Sequence, residues 1–132
     1  MMIDVVEPHQ VKVIWPHIAK HVRASQARSS TSSTVDLIRY HCMTDESWRL
    51  VVLNECQAAA VIRVWDTRLH VVAIAGKLAP GWEREFFEWL SRAGKFMGLT
   101  SVTLGGRKGW IRKLAPLGFV PIDTVYVGAP IS

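Results

Sequence analysis

Residues 69–104 leave this chain few folds to choose from. Residues 69–75 are almost wholly apolar and stop at Gly76, the pattern of a strand covered on both faces. Pro80-Gly81 then opens a helix whose first turn carries Glu83 and Glu85, and carboxylates suit the positive end of a helix. Phe86, Leu90, Ala93 and Met97 recur at helical spacing, Trp89 and Phe96 widen the stripe, and Gly98 stands at the C-terminal cap position. Residues 99–104 are a strand of the Val/Thr type. Two strands joined through a helix need a crossover, so these two are expected to be parallel.

The rest of the chain builds outward from that unit. Residues 8–27 carry Val11, Ile14, Trp15, Ile18 and Val22 on one helical face, with Pro16 inside. Proline removes a backbone donor and crowds the preceding turn, which predicts a kinked helix or two short ones. Residues 25–34 are mostly Ser and Thr and read as a loop; Thr34 can cap a second helix with Leu37 and Ile38 inward. Residues 48–53 and 58–65 are strands, separated by a turn at Asn54-Glu55 and followed by a turn at residues 66–68. With residues 69–75 they form an antiparallel meander. After the break at Gly105-Gly106, residues 108–117 form a short helix closed by Gly118, and residues 119–127 a last strand or hairpin with Pro121 at its start or at a bulge. The expected fold is α/β, in the order α-α-βββ-α-β-α-β, with a mixed sheet and helices on both faces.

At 132 residues the chain fits one domain, residues 1–132, and a domain of this size buries roughly two-thirds of its unfolded surface without help from a metal or disulfide. Half the chain is apolar (49%) and only 20% is charged, which excludes a disordered segment. No run approaches the ~20 apolar residues of a membrane span, and Asp4, Glu7 and His9 interrupt any N-terminal signal. Cys42 and Cys56 sit in apolar stretches with neither disulfide nor zinc spacing, and read as small hydrophobes. His17 and His21 lie four apart without a third ligand, so no metal is expected. The net charge of +5 tolerates an acidic partner, including nucleic acid, and does not demand one.

The element order, together with Leu117-Gly118-Phe119 after the short helix, resembles the GNAT acyltransferase superfamily. The segment from Gly105 through Leu114 is similar to a Gly-Arg-x-Gly-Trp-x-x-x-Leu pattern of small GNAT-like proteins of tailed bacteriophages and prophages. Trp15-Pro16 and Ala93 ahead of Met97-Gly98 fit the same group. The resemblance implies a loop of bare amides that holds the coenzyme A pyrophosphate at the start of the long helix. Counting back from Gly98 puts that loop's three anchors at Leu78, Gly81 and Glu83. Only Gly81 matches, and Glu83 would face the phosphates with a carboxylate that Lys77 can offset. The family's acid is a tyrosine four residues before the glycine of Gly-Phe; that position is Leu114, and the position of a frequent asparagine is Arg107. Glu55, Asp66 and His70 are the candidate bases, none singled out by spacing, and the one C-terminal phenol, Tyr126, reads as packing.

These departures lead to the expectation of a non-catalytic GNAT-like phage protein. It would dock to other phage structural proteins in a virion or its assembly, be found in the virion or host cytoplasm, and need no cofactor. Arg107, Lys108 and Arg112 would contact a partner or an anion, at a strand-to-helix junction with free amides. The alternative is an acetyl-CoA-dependent N-acyltransferase with a variant loop, in which Lys77, Gly81 and Trp82 hold the cofactor.

Overall fold

The computed structural model describes residues 1–28, 34–105, 109–122 and 126–131. Its centre is the expected meander: β2 (Trp48–Leu53), β3 (Ala58–Trp65) and β4 (Arg68–Gly76) pair antiparallel. The turn between β2 and β3 holds Asn54, Glu55 and Cys56 at positive φ. The long helix α3 (Trp82–Phe96) crosses to β5 (Ser101–Gly105), which pairs parallel to β4 as expected.

One strand was not legible beforehand, and the expected C-terminal hairpin reaches further than expected. β1 (Ile3–Val6) adds antiparallel to β2; four residues containing Asp4 are too few to display a period. The last segment is a hairpin of β6 (Val120–Pro121) and β7 (Tyr126–Pro130), and β7 inserts between β5 and β6. The principal final strand therefore lies further along than residues 119–127. The sheet is seven-stranded and mixed, in the order β1-β2-β3-β4-β5-β7-β6.

Helices cover both faces. Alternate residues of β2 show why: Leu50 and Val52 join one core cluster, Val51 and Leu53 the other. The first cluster is closed by α1 (Val11–Arg28) and α2 (Val35–Thr44), through Val11, Trp15, Ile18, Val22, Ile38 and Cys42. The second is closed by α3 and the short α4 (Gly109–Leu114), through Phe86, Phe87, Leu90, Trp110 and Leu114. α1 continues through Pro16 as one helix, which removes the expected alternative of two short ones. Pro16 and Lys12, whose carbonyl loses its donor, are both exposed, so the missing bond falls on the solvent side of the helix. Thr34 caps α2 by accepting from the Leu37 amide, as expected, but Leu37 itself is exposed and Ile38 alone of that pair faces in. Phe96 is 93% exposed rather than part of the inner stripe of α3.

Among the described residues, no helix is long and apolar enough to cross a membrane and no group of three ligands could hold a metal. His21 is bonded to the Cys56 carbonyl at 3.0 Å, while His17 faces solvent.

Candidate functional site

The site begins where two parallel strands part. β4 pairs with β5 only from Arg68↔Ser101 to Val71↔Leu104, then runs on to Gly76 while β5 ends at Gly105. The same point carries a bulge. On β3, Val61 faces Ala73 but Ile62 faces Val71, so Val72 has no partner there. An unmatched residue bends its strand and increases the local twist, which drives β4 away from β5. The wedge opens at the carboxyl ends of parallel strands, where open α/β sheets receive ligands.

The N-terminus of α3 follows directly from the unpaired end of β4. Residues 77–81 link β4 to α3, and Gly81 caps the helix in the left-handed region at φ 88. A Cβ built on Gly81 meets nothing within 4 Å, so the approach to the first amides of α3 is open. The structure thus places Lys77, Gly81 and Trp82 on one short link. Lys77 also lines a cavity of about 750 Å³ with Lys20, His21, Arg28, Glu55 and Gln57. Glu83 is not a free carboxylate in this setting: Lys113 of α4 reaches it at 2.8 Å. The repulsion expected between Glu83 and a bound phosphate is therefore largely cancelled inside the protein.

The bared edge of β4 has borrowed partners. The Ile74 amide donates to Ser25 Oγ at 3.1 Å, and Gln26 Nε2 donates to the Val72 carbonyl at 3.4 Å. Both side chains come from the end of α1. Nothing in the Ser-rich stretch of sequence pointed to them, because the pairing spans 46–49 positions.

Below the parting, on the face that α1 and α2 cover only in part, the register sets a row across the sheet. Trp48 pairs with Arg63, Arg63 with His70, His70 with Thr103, and Thr103 with Gly128. His70 is buried and its Nδ1 lies 2.7 Å from Thr103 Oγ1. Trp65 and Tyr126 meet its ring edge-on, with centroids at 5.2 and 5.3 Å. Burial first, then Arg63 and Arg68, push the His70 pKa down from 6.5 to about 4, so the ring is neutral at physiological pH. The Arg63 guanidinium lies between Trp48 (5.1 Å) and Trp65 (5.4 Å), and Arg68 lies over Trp65 at 4.8 Å.

Of the three candidate bases, Glu55 and Asp66 occupy positive-φ turns at opposite ends of the meander, and His70 alone lies beside the parting. Leu114 is fully buried in the core, so no proton donor stands at the position the family resemblance marks for one. Tyr126 is in register with Gly105, the last residue of β5, and packs on Trp65 and His70. Arg112 is exposed on α4; Arg107 and Lys108 lie outside the described residues.

No protein-family model matches this sequence, and no curated protein does. Solved structures do. Tetrahymena GCN5 superposes with a TM-score of 0.73 at 9% identity, over 100% of this chain and 97% of that one. The ribosomal-protein-S18-alanine N-acetyltransferase of Escherichia coli gives 0.64 at 17% identity, over 99% and 94%. The PaiA N-acetyltransferase of Thermoplasma acidophilum, solved with coenzyme A, gives 0.64 at 7%, over 98% and 99%. The second and third of these are named N-acetyltransferases, as is a matched aminoglycoside 6'-N-acetyltransferase complexed with coenzyme A (TM-score 0.72, 8% identity, over 100% and 98%). That corrects the expectation of a non-catalytic particle component and favours the catalytic alternative. Its main physical argument also weakens, since Glu83 is paired. At these identities the likeness speaks for architecture, and the architecture is the GNAT fold.

Proposed function

We propose that this protein is an acetyl-CoA-dependent N-acyltransferase whose reaction takes place where β4 and β5 part. The parting itself carries the reading. A bulge and an unpaired strand edge lie within a few residues of a buried, neutral histidine, and the same strand leads through a short link into an open helix N-terminus. Lys77, the open amides after Gly81 and the start of α3 at Trp82 suit the coenzyme A phosphates. The bared edge of β4 suits an arm that carries amides, and the Ser25 and Gln26 hydrogen bonds are those such an arm would replace. Acetyl-CoA supplies the acyl group as an activated thioester.

His70 accepts the proton of the acceptor amine. In this role Nδ1–H donates to the Thr103 hydroxyl oxygen, and Nε2 carries the lone pair that takes the proton. Tyr126, beside the end of β5, gives a proton to the departing sulfur in place of the phenol that Leu114 does not supply.

The test is the thermal midpoint with and without millimolar acetyl-CoA, followed by thiol release with a panel of amines. A ligand at a hundredfold excess over its dissociation constant adds about 2.7 kcal/mol, a shift of several degrees. His70→Gln and Tyr126→Phe should keep that shift and lose about a hundredfold or more in turnover. Absence of both shift and thiol release overturns the reading.

A further inference from the structure

Arg63 is held as if for a ligand. Its guanidinium is fixed between two indole faces, at 5.1 Å from Trp48 and 5.4 Å from Trp65. Its Nε is buried and has no hydrogen-bond partner. Among the described residues no carboxylate forms an ion pair with Arg63 or with its neighbour Arg68. The acid whose charge it feels, Asp45, is held below the usual carboxylate range chiefly by the amide and hydroxyl of Ser47. A guanidinium donates along its planar edge and pairs side-on with a carboxylate through two parallel bonds. Buried donors without partners are rare in folded proteins; among the described residues Arg39 and Arg63 each have such an Nε, and Arg63 is the one in register with the proposed base.

We infer that Arg63, flanked by Trp48 and Trp65 and backed by Arg68, binds the carboxylate of the acceptor, and that the acceptor is a small amino acid. The position supplies the length. Arg63 and His70 are cross-strand partners, and such neighbours have Cβ atoms about 5 Å apart. The Arg63 guanidinium and the His70 ring also share Trp65, at 5.4 and 5.2 Å from its ring centre, so a carboxylate on Arg63 brings an amine a few bonds away onto His70, the spacing of an α- or β-amino acid. Trp65, edge-on to His70 and under Arg68, forms one wall for the intervening carbon. The inference rests on the acyltransferase reading for its chemical step and on Arg63 alone for its binding step.

The experiment compares glycine, β-alanine and phenylalanine with their carboxamides, which keep the amine and lose the charge. Thiol release from acetyl-CoA is measured for the wild-type protein, Arg63→Met and Arg63→Lys, and calorimetric titration of the same compounds is run without acetyl-CoA. At least one acid is expected to exceed its amide at least tenfold in kcat/KM. Arg63→Met, which keeps the stem between the two indoles, should shrink that ratio below about threefold while the acetyl-CoA shift in Tm stays. Arg63→Lys, with the charge but not the fork, should fall between. Equal use of acids and amides by the wild-type protein overturns the inference without any variant, and so does a preference that survives Arg63→Met. If acetyl-CoA neither binds nor turns over, the acyltransferase reading fails on its own. Calorimetry then decides the site: acid binding that Arg63→Met removes upholds it, and acids that bind no better than amides sink it.

Discussion

Lys113 Nζ lies 2.8 Å from Glu83 Oε1 and 5.6 Å from the ring centres of Trp82 and Trp110. One lysine thus joins α4 to the first turn of α3 and neutralises the carboxylate nearest the open helix end. Lys113 is about half exposed, so the pair is screened, and Lys113→Met should cost about 1 kcal/mol, a fall of roughly 4 °C in Tm. The same change leaves Glu83 facing any phosphate at that helix end and should weaken acetyl-CoA binding about fivefold. Glu83→Gln in the same chain should restore the binding. Unchanged affinity in Lys113→Met would place the phosphates elsewhere.

Two glycines at positive φ should respond very differently to alanine. A Cβ on Gly76 (φ +134) falls 2.4 Å from the Ala58 Cα and 2.5 Å from the Gln57 carbonyl, both backbone atoms that cannot yield. Gly81 (φ +88) has open space around it. Urea denaturation should show a loss of about 3 kcal/mol or more for Gly76→Ala, from overpacking and strain together. Gly81→Ala should lose only about 1 kcal/mol, the conformational cost alone.

His70 should make the protein acid-sensitive. Its pKa falls from 6.5 to about 4 on folding, so the unfolded chain binds that proton more readily. The resulting stability is complete above about pH 6.5 and is lost as pH drops toward 4, on the order of 3 kcal/mol in all. Equilibrium unfolding between pH 4 and 7 should show that slope, and His70→Gln should flatten it. Above pH 7 the two proteins should titrate alike.

The two thiols should differ in reactivity. Burial pushes the Cys42 pKa up to about 12, so its thiolate is negligible at neutral pH. Cys56 is half-buried in the turn after β2. A disulfide reagent at pH 8 should label one equivalent quickly, at Cys56, and a second only on unfolding. Rapid loss of both would mean that α2 opens readily.

The legible part of the fold was the part written in local periods. The apolar run before Gly76, the stripe from Phe86 to Leu90 and the closing Gly98 each announce an element within a few residues, and each element is present. Phe96 misled because an aromatic there reads as a wider stripe, whereas at 3.6 residues per turn it stands about 120° around the helix from the buried Leu90. Within the candidate site, counting along one helix gave Leu78, Gly81 and Glu83 as the loop's anchors, with Lys77 as the offsetting charge, and of these Gly81 caps α3 at positive φ. Ser25, Gln26, Trp48, Arg63 and Trp65 carried no such signal, since each is ordinary until its neighbours on other strands are known.

By itself the sequence determined the order of elements from α1 to α4, the parallel crossover between residues 69–76 and 101–105, and a sheet covered on both faces. Those follow from side-chain periods of two and 3.6, which neighbouring residues impose on one another. Tertiary structure alone decided that β4 bulges at Val72 and leaves β5 after Val71, and that positions 48, 63, 70 and 103 line up in one row. Register is a property of pairs of strands far apart in the chain. A slip of one residue would send Arg63 and His70 to the opposite face, and no local pattern records which register the packed core selects.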